Sequence, residues 1–211
     1  MSDFPSSPIY LIADTGTCRG DRLVAAVSAA VAAGVKLVQY RHKGALTGAC
    51  FAEARALAQV ARDAGAHFII NDRIDLALEV GADGVHLGQD DLPVAVARDL
   101  MPGGALVGVS THDPAEAAGA LEDGADYIGF GNVFGTRSKA DAGDPRGVAA
   151  LAEVCGRVPL PVFAIGGVNG DNLAQVKAAG AAGGALISAI LGADDPGQAT
   201  AELMARWKAA P

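Results

Sequence analysis

Two short apolar segments of this chain end in acids and amides that could carry out chemistry together. Residues 68–73 (FIINDR) and 85–91 (VHLGQDD) each have the composition of a buried strand that stops abruptly in polar side chains. A short helical segment at 74–80, ended by a glycine, lies between them. Carboxylates that converge at the same end of two neighbouring parallel strands, with no cysteine or paired histidine beside them, suit a hard cation such as Mg²⁺.

Helix capping is the alternative role for Asp72 and Asp91, since each stands just before a helical segment. For either acid taken alone, capping is the favoured explanation. A capping role does not require two acids to face each other across neighbouring strands, whereas a shared cation does. The two strand ends therefore predict a shared cation site, with Asp72 at one end and Asp90 or Asp91 at the other as candidate ligands.

A recurring sequence pattern predicts the helices and strands that would position these acids. The pattern is a helix end, a glycine, one or two small residues and an aliphatic strand. Glycine just past the last helical turn adopts the left-handed cap conformation at low cost. The apolar runs predict eight strands, at 9–13, 36–40, 67–70, 84–87, 106–109, 127–130, 162–165 and 185–187. Alanine-rich segments with helical spacing predict helices at 21–33, 48–64, 74–80, 114–122, 171–179 and 196–208.

Eight strand–helix units in a chain of 211 residues predict an α/β protein, a single (β/α)8 TIM-barrel domain spanning residues 1–211. The active site is then expected at the C-terminal ends of the strands. A doubly wound open sheet is the alternative, and the lack of a large insertion or second domain disfavours it. One long connection, at 131–146 after the sixth strand, has the polar, glycine-containing composition of an active-site lid.

Charge and cysteine content narrow the partners and the compartment. The net charge is −8 and no Lys and Arg residues form a stripe, which argues against a nucleic-acid partner. No apolar run approaches the ~20 residues that cross a bilayer, so we expect no membrane partner. Cys18, Cys50 and Cys155 form no zinc-type or redox-type pair, and a cytoplasmic localisation is predicted. The sequence leaves open whether the chain forms a homo-oligomer.

Basic and hydroxyl side chains at the strand ends predict two places for anions. Arg41 and Lys43 point the same way on an extended segment, which suits a phosphate or a diphosphate; a solvated loop tip is the alternative. The long connection carries TRSK at 136–139, whose hydroxyls and cations would close over a phosphate; a solvated charged loop is the alternative. After the seventh and eighth strands, the glycine pair 166–167 and Ser188 occupy the common phosphate site of TIM barrels.

This layout predicts two phosphorylated small-molecule substrates, one of them a diphosphate. Arginine and lysine side chains together with Mg²⁺ would stabilise the departure of diphosphate as a leaving group. Ser110, after the fifth strand, would donate to an anion or to a polar ring. A sugar-phosphate isomerase or epimerase barrel is an alternative that explains the phosphate site but not the second, cationic one.

Taken in order, these motifs resemble those of the thiamine phosphate synthase (thiamine-phosphate pyrophosphorylase) family. The resemblance runs from residue 10 to about residue 191, nearly the whole chain, and the joint pattern is highly specific. Its carriers are VQYRHK at 38–43, INDR at 70–73, GVHLGQDDL at 84–92, GVSTH at 108–112, TRSK at 136–139, AIGGV at 164–168 and LISAI at 186–190.

The resemblance implies a transferase of thiamine biosynthesis. Such an enzyme joins 4-amino-2-methyl-5-hydroxymethylpyrimidine diphosphate to 4-methyl-5-(2-phosphoethyl)thiazole, or its carboxylated form, giving thiamine phosphate and diphosphate. In this family the diphosphate leaves first, and the thiazole nitrogen traps a pyrimidine carbocation. By position, the resemblance implies that Mg²⁺ is bound by Asp72 and Asp91. The implied diphosphate contacts are Arg41, Lys43, Asn71 and Lys139, and the implied pyrimidine contacts are Gln39 and Ser110. The implied thiazole phosphate contacts are Thr136, Ser138, Gly167, Ile187 and Ser188. Lys139, Arg41 and Ser110 are the implied catalytic residues.

The chain departs from the family pattern in the long connection. The family usually has GPVFPT there, whereas residues 131–136 are GNVFGT. Losing both prolines is expected to loosen the connection, because fixed φ angles are removed. No role follows for Asn132. A thiazole tautomerase of a sister group and a non-catalytic thiamine-phosphate-binding protein are the alternatives within the resemblance, and the complete diphosphate and metal set favours the synthase.

Overall fold

A closed barrel of parallel strands is the centre of the structure. The computed structural model describes residues 4–136 and 143–211. In that part of the chain each strand pairs with the next, and the first pairs with the eighth through Tyr10 and Ala185, which closes the sheet. The TIM barrel is therefore confirmed and the open sheet is excluded. The strands are β1 (Ile9–Asp14), β2 (Leu37–Arg41), β3 (His67–Asn71), β4 (Gly84–Leu87), β5 (Leu106–Thr111), β6 (Tyr127–Gly131), β7 (Val162–Ile165) and β8 (Gly183–Leu186).

Helices follow the strands and cover the outside of the barrel. The predicted helices are confirmed apart from their end residues, and α4, α6 and α8 are additional. Within residues 4–136 and 143–211, no helix has both the length and the apolar character to cross a membrane. The helices are α1 (Gly20–Ala32), α2 (Gly48–Asp63), α3 (Ile74–Val80), α4 (Val94–Leu100), α5 (Pro114–Glu122), α6 (Gly147–Arg157), α7 (Leu173–Ala178), α8 (Ser188–Leu191) and α9 (Pro196–Ala209).

Two helices begin at an acid followed by proline. The side chain of Asp113 accepts a hydrogen bond from the backbone N–H of Glu116 at 2.9 Å, at the start of α5. Asp195 accepts from the N–H of Gln198 at 2.9 Å, at the start of α9. Each acid satisfies a helix-end donor that has no partner within the helix. Local sequence therefore sets where these two helices begin.

Inward-facing side chains fill the barrel with a largely aromatic and aliphatic layer. Tyr10, Tyr127 and Phe163 belong to it, and the ring centroids of Tyr10 and Phe163 are 5.3 Å apart at an interplanar angle of 64°. Phe4, which precedes β1, packs on Tyr127 with centroids 5.2 Å apart. This layer closes the barrel interior and forms the floor of the space at the C-terminal ends of the strands. Because side chains alternate along each strand, the next inward-facing residues point into that space, the barrel mouth.

Gly84 permits the closest approach between β4 and β5. A Cβ atom on Gly84 would lie 2.1 Å from the carbonyl oxygen of Leu106, its pairing partner. Gly84→Ala is therefore expected to lower the free energy of unfolding by about 2–3 kcal/mol, measured by urea denaturation. Gly119→Ala is the control: apart from its chain neighbours and the nearby backbone of α5, no described atom lies within 4 Å of the added carbon. A gain of up to about 1 kcal/mol is expected inside α5. Equal stability of the two variants would contradict the tight strand contact.

Candidate active site

A cavity of about 1510 Å³ opens at the C-terminal ends of the strands. It exceeds the roughly 300–1000 Å³ that is usual for one small ligand, so two small substrates fit. Its wall includes part of the set implied by the motifs: Arg41, Lys43, Ser110, Thr136, Gly167, Ile187 and Ser188. The structure thus brings together residues from β2, β5, β7 and β8 and from the connection after β6.

The other residues implied by the motifs lie beside or below this cavity. Gln39 is buried on β2, one inward position below Arg41. At the rim, Asn71 ends β3, and Asp72 and Asp91 follow β3 and β4. Lys43 joins the rim to the cavity wall through the bond described next. The remaining members, Ser138 and Lys139, lie outside the described residues, as does Arg137.

Asp72 is turned away from the helix that follows it. Its φ angle is 60°, in the left-handed region that non-glycine residues rarely adopt, and its N–H donates to the carbonyl oxygen of His86 at 2.9 Å. No side chain caps α3, so Asp72 is not a helix cap. Its Oδ2 accepts a hydrogen bond from Nζ of Lys43 at 2.6 Å. The carboxylate therefore faces the cationic wall.

Asp91 also leaves its helix uncapped and faces Asp72. Its Oδ2 accepts from the N–H of Gly88 at 2.7 Å, within the turn after β4, and no side chain caps α4. Burial raises the pKa of the Asp91 carboxyl, and hydrogen bonding with Asp72 raises it further. A cation bound beside Asp91 would favour the ionised form of this carboxylate, which burial and the neighbouring Asp72 disfavour.

The donor set at this rim fits Mg²⁺. In the part of the chain that the structure describes, no group of three or more acids, histidines or cysteines is arranged to hold a metal. Two carboxylates alone leave most of an octahedral shell to water and to substrate oxygens. Mg²⁺ keeps several waters and is commonly bound by one or two carboxylates plus phosphate, so the pair suits it.

The side chain of Asn71 carries a buried donor with no partner in the described part of the chain. Its Nδ2 makes no hydrogen bond within residues 4–136 and 143–211. Buried amide groups are nearly always satisfied, so this N–H is available to an acceptor that the described residues do not provide, such as a water or a ligand oxygen. The position of Asn71 between β2 and the acidic rim suits an anionic oxygen.

A chain of hydrogen bonds crosses the barrel interior and links two of the residues implied by the motifs. Nε2 of Gln39 donates to the hydroxyl of Tyr10 at 2.6 Å, and that hydroxyl lies 2.7 Å from the hydroxyl of Tyr127. The Tyr127 hydroxyl is 3.2 Å from Nδ1 of His86, whose Nε2 is 3.0 Å from Oγ of Ser110. Gln39 and Ser110 are therefore coupled through the floor of the site.

The amide of Gln39 sets the direction of this chain, because its Nε2 donates to the Tyr10 hydroxyl. Burial lowers the pKa of the His86 imidazole to about 4, against a smaller opposing effect of Asp91, so the ring is neutral near pH 7 and carries one N–H. Every hydroxyl then has an acceptor when Tyr10 donates to Tyr127, Tyr127 donates to Nδ1 of His86, and Nε2 of His86 donates to Ser110. The hydroxyl proton of Ser110 is then free to donate to a substrate in the cavity.

Asn132 has a structural role that the sequence did not reveal. Its Oδ1 accepts from the N–H of Gly135 at 2.8 Å, and its Nδ2 donates to the carbonyl oxygen of Gly143 at 3.1 Å. The side chain therefore ties together the two described ends of the long connection. These bonds offset part of the loosening expected from the missing prolines.

The glycine pair after β7 is needed for chain packing. Gly166 and Gly167 have φ angles of 94° and 69°, where a side chain is strained. A Cβ atom on Gly167 would also lie 2.2 Å from the carbonyl oxygen of Gly135. The pair thus lets the loop after β7 pack closely on the long connection, in addition to leaving backbone exposed to the cavity.

Two residues of the site were missed from the sequence, although each left a signal. Asp14 directly follows the apolar run of β1, by the same pattern that identified Asp72, and it bonds to Arg41. His86 is a polar residue within the short apolar segment of β4, and its inward direction depends on strand alternation. In both cases the partner lies on another strand.

Comparisons with known proteins agree with this arrangement. A family model described as thiamine monophosphate synthase matches residues 9–190. The chain belongs to the thiamine monophosphate synthase family. The resemblance inferred from the motifs is therefore confirmed, and the family match covers all eight strands.

Individual members of the family match along nearly their whole length. The chain is 47% identical over 197 residues to the thiamine-phosphate synthase of Chloroflexus aurantiacus, covering 93% of this chain and 91% of that protein. It is 43% identical over 199 residues to the thiamine-phosphate synthase of Moorella thermoacetica, covering 94% and 95%. The solved structure of thiamine phosphate pyrophosphorylase from Pyrococcus furiosus superposes with a TM-score of 0.88 at 37% identity, over 96% of each chain.

His86 is expected to remain neutral far below the usual range of histidine. Its pKa is about 4 in the folded chain, against an ordinary value of 6.5, so the unfolded chain binds the proton more readily. Stability is therefore lost as pH falls from about 6.5 towards 4, and is fully retained above that window. An NMR titration of the four histidines should show one ring that titrates near pH 4, absent in His86→Gln. Titration of that ring near pH 6.5 would contradict the burial of His86 inside the barrel.

Proposed function

We propose that this chain is a thiamine phosphate synthase that depends on Mg²⁺. It joins 4-amino-2-methyl-5-hydroxymethylpyrimidine diphosphate to 4-methyl-5-(2-phosphoethyl)thiazole and releases diphosphate. With the carboxylated form of the thiazole, CO2 is lost as well, and a proton takes its place on the ring. The observation that carries the proposal is the meeting, at one barrel mouth, of paired carboxylates, a cationic wall and a cavity for two substrates, in a member of this family.

The features at the end of β2 and β3 support a diphosphate site there. Arg41 and Lys43 line the cavity, and the amide nitrogen of Asn71 has no acceptor among the residues that the structure describes. Local donors are needed because the net charge of −8 repels an anion at long range. Arg41, Lys43 and Asn71 then hold the diphosphate, and Lys139 adds a further charge by its place in the family motif.

Asp72 and Asp91 hold the cation in this proposal. A Mg²⁺ ion held by these two carboxylates would supply positive charge to stabilise diphosphate as a leaving group. The two carboxylates need not take a proton from any substrate, so they act only as ligands. Lys43, already bonded to Asp72, stands where both the carboxylate and the diphosphate are within reach of its flexible side chain.

The remaining residues orient the two rings. Gln39 and Ser110 contact the pyrimidine, and the interior hydrogen bonds fix the direction in which Ser110 donates. The bond between the pyrimidine methylene carbon and the diphosphate oxygen breaks with both electrons leaving on oxygen, and the lone pair of the thiazole nitrogen then forms the new carbon–nitrogen bond. The apolar side chain of Ile187 helps to keep water from the pyrimidine carbocation. The thiazole phosphate contacts are Thr136, Ser138, Gly167, Ile187 and Ser188.

The activity is tested with the full chain and both substrates. Thiamine phosphate and diphosphate are expected in equal amounts, with no product when either substrate is left out. Treatment with a chelator should reduce the rate at least about 100-fold, and added Mg²⁺ should restore it. Lack of product would reject the proposal, and rearrangement of the thiazole alone would indicate the tautomerase alternative. Full activity in the presence of chelator would reject the proposed dependence on Mg²⁺.

Substitution of either rim acid should impair metal binding and leave the folding of the chain unchanged. Asp72→Asn and Asp91→Asn should each lower kcat/KM by about 100-fold, because one ligand charge is lost. Their melting temperatures should stay near that of the wild type, since Asp91→Asn relieves the carboxylate pair and the Lys43 side chain of the Lys43–Asp72 pair is half exposed to water. Asp90→Asn, at an exposed neighbouring acid, is the matched control and should keep its activity within about twofold. Activity near wild type in either rim variant would remove that acid from the ligand set.

A further inference from the structure

We propose that Asp14 is a positioning residue that holds the guanidinium of Arg41 in place for diphosphate. The inference rests on the proposed function, in which Arg41 contacts diphosphate, and it adds a residue that neither the motifs nor the comparisons assign. Asp14 ends β1, Arg41 ends β2, and the two are paired in the strand register. Both line the cavity, so their neighbouring side chains meet at its wall.

The carboxylate of Asp14 is fixed through both of its oxygens. Oδ1 accepts from the backbone N–H of Gly16 at 2.9 Å and from that of Thr17 at 3.1 Å. Oδ2 accepts from Nη1 of Arg41. The Asp14 side chain is only 5% exposed, so water competes little for these bonds. Because the turn holds the carboxylate, it is a fixed anchor for the guanidinium.

The backbone of Arg41 is held as well. The N–H of Thr15 donates to the carbonyl oxygen of Arg41 at 3.0 Å, which ties the turn after β1 to the end of β2. Both ends of this long side chain are therefore restrained, while 18% of it remains exposed. A guanidinium has five N–H donors, and the bond to Asp14 leaves most of them for an anion.

This anchoring has a defined effect on binding. A free arginine side chain loses rotamer freedom when it binds an anion, whereas an anchored one has already lost that freedom on folding. The charge of Asp14 opposes an incoming anion, but Arg41 and the backbone N–H groups of the turn compensate it at contact distance. The net effect of Asp14 is therefore to strengthen diphosphate binding.

Asp14→Asn tests the anchor while keeping the turn. The amide oxygen still accepts from Gly16 and Thr17, but the amide nitrogen cannot accept from Arg41. The inhibition constant of inorganic diphosphate and the KM of the pyrimidine diphosphate should each rise about 10-fold, and the KM of the thiazole phosphate should change less than about twofold. If Asp14→Asn folds poorly, Asp14→Ser, which keeps an oxygen for the turn, is expected to give the same shift.

Asp126→Asn is the matched control. Asp126 also pairs with an arginine, Arg98, and accepts from a backbone N–H, that of Val107 at 2.7 Å, but it lies before β6 at the opposite end of the barrel. This variant should lower the melting temperature without changing the inhibition constant of diphosphate. A general loss of stability therefore does not imitate the effect expected of Asp14→Asn.

The Arg41→Gln background decides whether Asp14 acts through Arg41. In that background, Asp14→Asn should leave the inhibition constant unchanged. An unchanged or lower constant in the single variant, or an equal rise in both backgrounds, would overturn the inference. Failure of the wild type to form thiamine phosphate would instead reject the proposed function, and calorimetric titration with inorganic diphosphate would still test Asp14.

Discussion

Fixed parallel register between neighbouring strands is the constraint on which the rest of the site depends. It pairs Asp14 with Arg41 across β1 and β2, and Asn71 with His86 across β3 and β4. All strands run in one direction and the barrel closes, so every polar strand end arrives at the same rim. A slip of one residue in any pair would turn the inward side chains outwards and dismantle the rim.

The floor beneath the rim combines rigid packing with polar connection. Burying hydroxyl, amide and imidazole groups is costly unless each one is bonded, and the chain from Gln39 to Ser110 satisfies its members in sequence. Aromatic rings at Tyr10 and Tyr127 supply both the packing surface and the bridging hydroxyls. The residues that face the pyrimidine in the proposed function are therefore oriented from below by side chains that do not need to touch it.

The rim itself contains several locally unfavourable features. Asp72 adopts a left-handed backbone conformation, and Asp91 lies in a place that disfavours its ionised form. Asn71 buries a donor for which residues 4–136 and 143–211 offer no acceptor. Each of these costs stability, and together they occur within a few residues on two adjacent strands. A cation between the carboxylates and an anionic oxygen at the amide would relieve the last two. This coincidence distinguishes the rim from the rest of the barrel, where the capping acids of α5 and α9 serve the fold.

The sequence by itself determined the class of fold, the strand positions and the polar strand ends, because alternating apolar runs and glycine caps are local signals. It also determined the family, and with it the expected roles of residues such as Lys139, which stay predictions. Only the tertiary structure decided that Asp72 and Asp91 cap no helix, that Asn132 joins both ends of the long connection, and that Asp14 anchors Arg41. Periodicity gives the face and the end of a strand, whereas the atoms that meet across strands depend on register and closure, which no local pattern contains.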